Sequence, residues 1–163
     1  MAGRAPDTAS ARRSENQYAP NDCATANTAA TAQFVLVLIA YVCLSWVFYV
    51  NDFSVTYVAS NSHTELPLMY RLSAVWGAHE GSLLLWSLML AGWTIAVALF
   101  NRRLPADVTA VVLAVLALIS LGFLLFMLLT SNPFDRQFPV PLEGRDLNPL
   151  LQDPGLIFHP PLL

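Results

Sequence analysis

Two adjacent ionisable residues, His79 and Glu80, stand between Gly77 and Gly81 at the mouth of a long apolar run. The whole segment reads Trp76-Gly-Ala-His-Glu-Gly-Ser-Leu-Leu-Leu-Trp86. Ionisable groups at the edge of a membrane span are costly to bury, and face a protein interior or a wet cavity rather than lipid. Zinc proteolysis needs a second histidine on the same helix face, in the pattern HExxH. Position 83, where it would stand, is Leu, so the spacing excludes that chemistry. Neighbouring residues on a helix point about 100° apart, so the pair need not share one ligand. Two readings remain. The segment is the rim of a working site, or it is a helix-end anchor in which Glu80 faces the positive end of the helix dipole.

His159 is the second candidate, directly before Pro160-Pro161. Two prolines restrict the backbone and suit a helix start. A neutral imidazole held there can serve as a ligand for haem iron or another metal, or it is a plain loop histidine. His63, within Ser-Asn-Ser-His-Thr, is expected to be solvated, and so is the cluster Glu143-Gly-Arg-Asp146. No Ser/His/Asp triad, phosphate loop or paired-carboxylate spacing stands out. Cys23 and Cys43 show no CxxC spacing. Cys43 reads as a small buried hydrophobe, with no disulfide to Cys23.

Apolar elements must position these groups. The chain has 163 residues, 56% hydrophobic and 12% charged. Soluble domains carry about 25% charged residues, so this composition belongs to a membrane protein of few spans. The mean hydropathy of +0.53 agrees. A net charge of −3 is mild and argues against nucleic acid as a partner. The fold class is all-α and polytopic. Three full spans are expected at about residues 33–50, 81–100 and 108–130, each long enough to cross a bilayer. Pro105 and Asp107 mark the start of the third.

Leu68, Met69, Leu72, Val75 and Trp76 recur at helical spacing, which predicts an amphipathic helix lying at the interface over residues 66–78. Residues 1–32, rich in Ala, Thr, Asn and Arg, read as a disordered polar leader. The tail from residue 131 is broken by prolines until an apolar stretch begins near Gly155, the expected start of a fourth span. The chain thus reads as a fragment. Arginines concentrate at 4, 12 and 13 and at 102 and 103. The positive-inside rule therefore puts residues 1–32 and 101–107 in the cytoplasm. Residues 51–80 and 131–163 then lie outside, with outer loops at 51–80 and 131–158.

Four blocks in order carry a resemblance. They are Asn51-Asp-Phe-Ser-Val-Thr-Tyr-Val-Ala-Ser60, Trp76–Trp86, Thr130-Ser-Asn-Pro-Phe134, and the run from Gly144 through His159-Pro-Pro to Leu163. Over roughly residues 33–163 the chain resembles the CcmF family of bacterial cytochrome c maturation, with NrfE as a close relation. The resemblance implies a multi-pass inner-membrane haem lyase subunit with its outer loops in the periplasm. It implies haem b as substrate, received from the haem chaperone CcmE and joined to apocytochrome c, with CcmH and CcmI as partners. The family handles haem at a tryptophan-rich segment flanked by two histidines that ligate iron. The His-Pro-Pro segment matches the first of these, so the resemblance makes His159 an axial haem-iron ligand. It implies no free metal site and assigns no residue here to catalysis. Trp76, Gly77, His79, Glu80, Gly81 and Trp86 match a family motif without an assigned role.

The tryptophan-rich segment would lie beyond residue 163, and residues 1–32 do not resemble the family. Lyase activity of this piece alone is therefore not expected. Two alternatives stand beside the haem reading. One is a transporter or proton-pathway subunit using His79 and Glu80. The other is a non-catalytic assembly fragment.

Overall fold

The computed structural model describes residues 8–100, 105–153, 155 and 157. In chain order its helices are α1 (Thr8–Val50), α2 (Thr56–Asn61), α3 (Leu68–Ser73), α4 (His79–Phe100) and α5 (Ala106–Thr130). Single 3-10 turns occupy Ala74–Trp76 and Pro149–Gln152. Thr25–Val50, His79–Phe100 and Asp107–Thr130 are each long and apolar enough to cross a membrane. The 22 residues of α4, at 1.5 Å each, span about 33 Å against a hydrocarbon core of about 30 Å.

Helix α4 lies at the centre and packs against both α1 and α5. Its buried positions are Gly81, Leu84, Ser87, Ala91, Thr94 and Ala98, spaced three and four apart. All but Leu84 are small, which lets neighbouring helices approach closely, as membrane helix pairs do. The ring of Phe34 on α1 rests beside Gly92. The Ser87 and Thr94 hydroxyls donate to the Leu83 and Leu90 carbonyls at 2.9 and 2.8 Å. Burial of this face therefore orphans neither hydroxyl. The outward faces carry Leu36, Ile39, Trp46, Trp93, Leu118, Leu128 and Leu129, all exposed. Such continuous apolar surface is a liability in water and ordinary in hydrocarbon.

All three expected spans end where the helices end, at Val50, Phe100 and Thr130. Residues 8–32, expected to be disordered, instead continue α1 as helix. Alanine recurs through this stretch, and a strong helix former extends a helix that the apolar run already nucleates. Cys43, expected to be buried, is exposed and free. The inward stripe of α1 runs through Val37, Leu44 and Phe48, and Cys43 is turned about 100° from Leu44. The expected amphipathic helix is present as α3 and its 3-10 turn, but its stripe divides. Leu68, Met69 and Leu72 are exposed, whereas Val75 is buried. The tighter turn swings Ala74 and Val75 into the core. The expected start of the fourth span falls on 155–163, of which residues 155 and 157 are described.

Residues 51–78 and 131–153 gather at one end of the bundle, here called the loop end. The exit from α1 sets their register. Asn51 takes the left-handed conformation (φ 53°), which asparagine tolerates better than most residues. Its N–H donates to the Phe48 carbonyl at 3.2 Å, and the Asp52 N–H donates to the Val47 carbonyl at 3.1 Å. This is a Schellman cap, satisfying two of the last carbonyls of the helix. Arg71 adds a third bond, to the Tyr49 carbonyl at 3.1 Å. Its positive charge suits the negative end of α1.

Beyond the cap, Ser54–Thr56 runs antiparallel to Asp135–Gln137. Thr56 N–H donates to the Asp135 carbonyl at 2.8 Å, and Gln137 N–H to the Ser54 carbonyl at 3.0 Å. Val55, Tyr57, Val58, Leu66, Ala74, Val75 and Leu147 fill a small core beneath, continuous with Leu44 and Phe48 of α1.

Candidate functional site

The segment Trp76–Trp86 joins the 3-10 turn to α4, and one buried side chain holds the junction. Tyr57, on α2, is 4% exposed. Its hydroxyl lies 3.1 Å from the Val75 carbonyl and 3.2 Å from the Ala74 carbonyl, either of which it can donate to. It accepts the Ala78 N–H at 3.3 Å. Burial, with a smaller push from the Glu80 carboxylate, drives the phenol well above its ordinary pKa. It therefore stays a neutral donor. Phe48 meets its ring edge-on at 5.3 Å.

Gly81 is required by this contact. A Cβ there would overlap the Val75 carbonyl oxygen and come 2.5 Å from the Tyr57 hydroxyl. Gly77 follows the turn with ordinary right-handed backbone (φ −70°, ψ −17°), its N–H bonded to the Ala74 carbonyl at 3.1 Å. Ser82 Oγ donates to the Trp76 carbonyl at 2.7 Å.

His79 begins α4 and is exposed. Its Nδ1 lies 3.2 Å from Ser131 Oγ, just past α5. The imidazole meets Phe126 of α5 edge-on at 5.9 Å. Glu80 stands in the first turn of α4, near enough for its charge to be felt at the Tyr57 phenol. Trp86, 43% exposed, lies along the α4–α5 seam with its ring centroid 6.4 Å from that of Phe123.

Trp76 reaches furthest in sequence. Its indole N–H donates to the Ile157 carbonyl at 2.9 Å. That carbonyl belongs to a turn started by Asp153, whose carboxylate accepts the Gly155 N–H at 2.7 Å. The Asp153 carbonyl accepts the Ile157 N–H at 3.1 Å. His159 lies outside the described residues. Among the described residues, no three His, Cys, Asp or Glu side chains are grouped to hold a metal ion.

Several partners escaped the sequence reading. His63, expected to be solvated, is half-buried, with Nε2 3.6 Å from Glu143 Oε2. Thr64 donates to the same oxygen at 2.8 Å. The cluster at 143–146 keeps Glu143, Arg145 and Asp146 exposed, as expected, while its backbone docks through the Arg145 N–H on the Ala59 carbonyl at 2.6 Å. Gly144 presses so close to the Ser62 carbonyl that a Cβ would collide with it. Asp52 Oδ1 accepts the Ser54 N–H at 3.0 Å. Hydrogen bonds from the Ser54 hydroxyl and N–H, with Arg136 nearby, hold the Asp52 carboxyl below its usual range.

With this geometry in view, the comparisons decide the family. The family described as "Cytochrome C assembly protein" matches residues 76–163, more than half of the chain. The chain belongs to that family. Its start coincides with Trp76, the residue tethered to Ile157. The Escherichia coli cytochrome c-type biogenesis protein CcmF is 65% identical over 131 residues, 80% of this chain and 20% of the relative. The Pseudomonas aeruginosa CcmF is 60% identical over 139 residues, 85% of this chain and 21% of the relative. The probable cytochrome c-type biogenesis protein NrfE of Escherichia coli is 52% identical over 132 residues, 81% of this chain and 24% of the relative. The chain thus spans about a fifth of the length of the CcmF relatives it matches. No solved structure matches it.

Proposed function

We propose that this chain serves the haem-handling step of cytochrome c maturation, with His159 as an axial ligand to haem iron and haem b as the substrate. The observation that carries the reading is the 65% identity to a CcmF over most of the chain. The chemistry available at the loop end is compatible with it. Exposed rings of Trp86 and Phe126 offer apolar, polarisable surface, which suits a flat macrocycle. A neutral imidazole is a common haem ligand. The haem supplies the redox-active iron and the vinyl groups; the chain binds, orients and shields.

In this reading the loop end faces the periplasm across a bacterial inner membrane. CcmE delivers the haem, CcmH and CcmI assist, and apocytochrome c receives it. Thioether formation as a haem lyase is the work of the whole protein, to which this chain contributes spans and one ligand. The proton-relay alternative gains no support from His79, whose Nδ1 lies against the Ser131 hydroxyl.

The test is spectroscopic. Purified protein in lipid nanodiscs, titrated with haem, should give a low-spin imidazole-type Soret band that His159→Gly abolishes and free imidazole restores. An unchanged band in His159→Gly overturns the ligand assignment.

A further inference from the structure

The bond between Trp76 and Ile157 has a cause in the sequence. In an α-helical turn the carbonyl of residue 157 would accept the N–H of residue 161, and in a 3-10 turn that of residue 160. Both are proline and carry no N–H. Neither helical geometry can therefore satisfy the Ile157 carbonyl from the backbone. A carbonyl left unpaired away from water is costly, so a side chain or water must serve it. The indole N–H of Trp76, which can only donate, does so at 2.9 Å. Trp76 is half-buried, and its own carbonyl is held by Ser82. The Tyr57 hydroxyl fixes the turn that carries it.

We propose that Trp76 is a positioning residue for His159: its indole N–H takes the carbonyl that Pro160 and Pro161 leave without a backbone donor. Holding that carbonyl anchors the chain at Ile157, two residues before His159 in the sequence. The anchor is rigid on its other side, because Trp76 sits between the Tyr57-braced turn and the first turn of α4. The motif at Trp76–Trp86 and the His-Pro-Pro segment then work as one device, although 81 residues separate the bonded pair. This role rests on the reading of His159 as a haem ligand.

Trp76→Phe tests it by keeping a ring and removing the N–H. Two readouts on the full chain in nanodiscs separate the tether from the ligand. Hydrogen exchange of the haem-free protein over residues 153–158 should rise about tenfold in Trp76→Phe, the size expected for one lost hydrogen bond. In His159→Ala it should stay within about twofold of wild type, since that variant keeps the donor and its acceptor. Haem titration should show affinity weakened about five- to tenfold by Trp76→Phe, with loss of the imidazole-type band in His159→Ala. Trp93→Phe, an exposed position, should change neither readout. Unchanged exchange in Trp76→Phe overturns the tether. Raised exchange with unchanged haem affinity and band shape overturns its positioning role while leaving His159 as ligand. Unchanged haem binding in His159→Ala overturns the ligand reading, and the positioning role with it.

Discussion

Replacing Tyr57 by phenylalanine keeps the ring and removes one hydroxyl that serves two backbone groups. No cavity opens, so the packing term is small. The Val75 carbonyl, 3.1 Å away, loses its donor, and the Ala78 N–H, at 3.3 Å, loses its acceptor. A made hydrogen bond contributes about 0.5–1.5 kcal/mol net, and an abandoned buried donor costs about 1–3 kcal/mol. Ala78 is half-buried, so water partly replaces its partner, and the sum comes to about 2–3 kcal/mol. Detergent unfolding of the reconstituted chain, followed by tryptophan fluorescence, measures it. A loss below about 0.5 kcal/mol would refute the claim that this hydroxyl braces the junction. A pH signature accompanies it. The folded phenol titrates above the ordinary value of about 10. Its contribution is therefore complete below that pH and is lost as pH rises toward the folded value. Wild type should soften at alkaline pH where Tyr57→Phe does not.

Other expectations follow from the same contacts. Gly81→Ala drives a methyl into the Val75 carbonyl, and should cost about 3 kcal/mol, the upper part of the overpacking range, because the obstacle is backbone. Combined with Tyr57→Phe it should cost less than the sum, since one of the two obstructing groups is gone; strict additivity in the same unfolding assay would contradict the shared contact. Asp52 is held below its usual pKa by Ser54, so its charged form is favoured in the folded state. That stability is present above about pH 4 and fades as pH falls through the lower folded value. Amide exchange at residues 51–57 should rise on acidification in wild type, and Asp52→Asn should flatten that dependence. For topology, Ser60→Cys in a background without Cys23 and Cys43 should react with an impermeant maleimide in intact spheroplasts. Reaction only after membrane disruption would reverse the assigned orientation.

The spans were legible because an apolar run of 18 or more residues has few other uses, and their ends fell on the helix ends. The cap at Asn51 was not read, although Asn-Asp after an apolar helix is a usable signal for a left-handed terminus. Tyr57 and Ser131 escaped because their partners lie far off in sequence, at Val75 and His79, and local patterning carries no such pairing. Gly81 was noticed as a flank of the His–Glu pair, yet its reason is a close approach to a turn that only the folded chain brings near. The charged side chains at 143, 145 and 146 are exposed as their polarity suggests, whereas His63 is half-buried, because polarity does not show which polar segment another one docks on. In the sequence Trp76 belongs to a motif and to an amphipathic stripe, and neither points to its partner. That partner, Ile157, lies 81 residues away, and the signal stands just beyond it, in two prolines that withdraw the donors a carbonyl needs. His159 itself was reached through resemblance rather than through local physics, and it lies outside the described residues.

The central claim is best tested in a strain that lacks haem attachment to its c-type cytochromes. A chimera in which this chain replaces the matching segment of the Escherichia coli CcmF should restore covalently haem-stained cytochromes, and the same chimera carrying His159→Ala should lower them at least about tenfold, as loss of a metal-site group does. Equal haem attachment from the two chimeras, at equal protein levels in the membrane, would contradict the account.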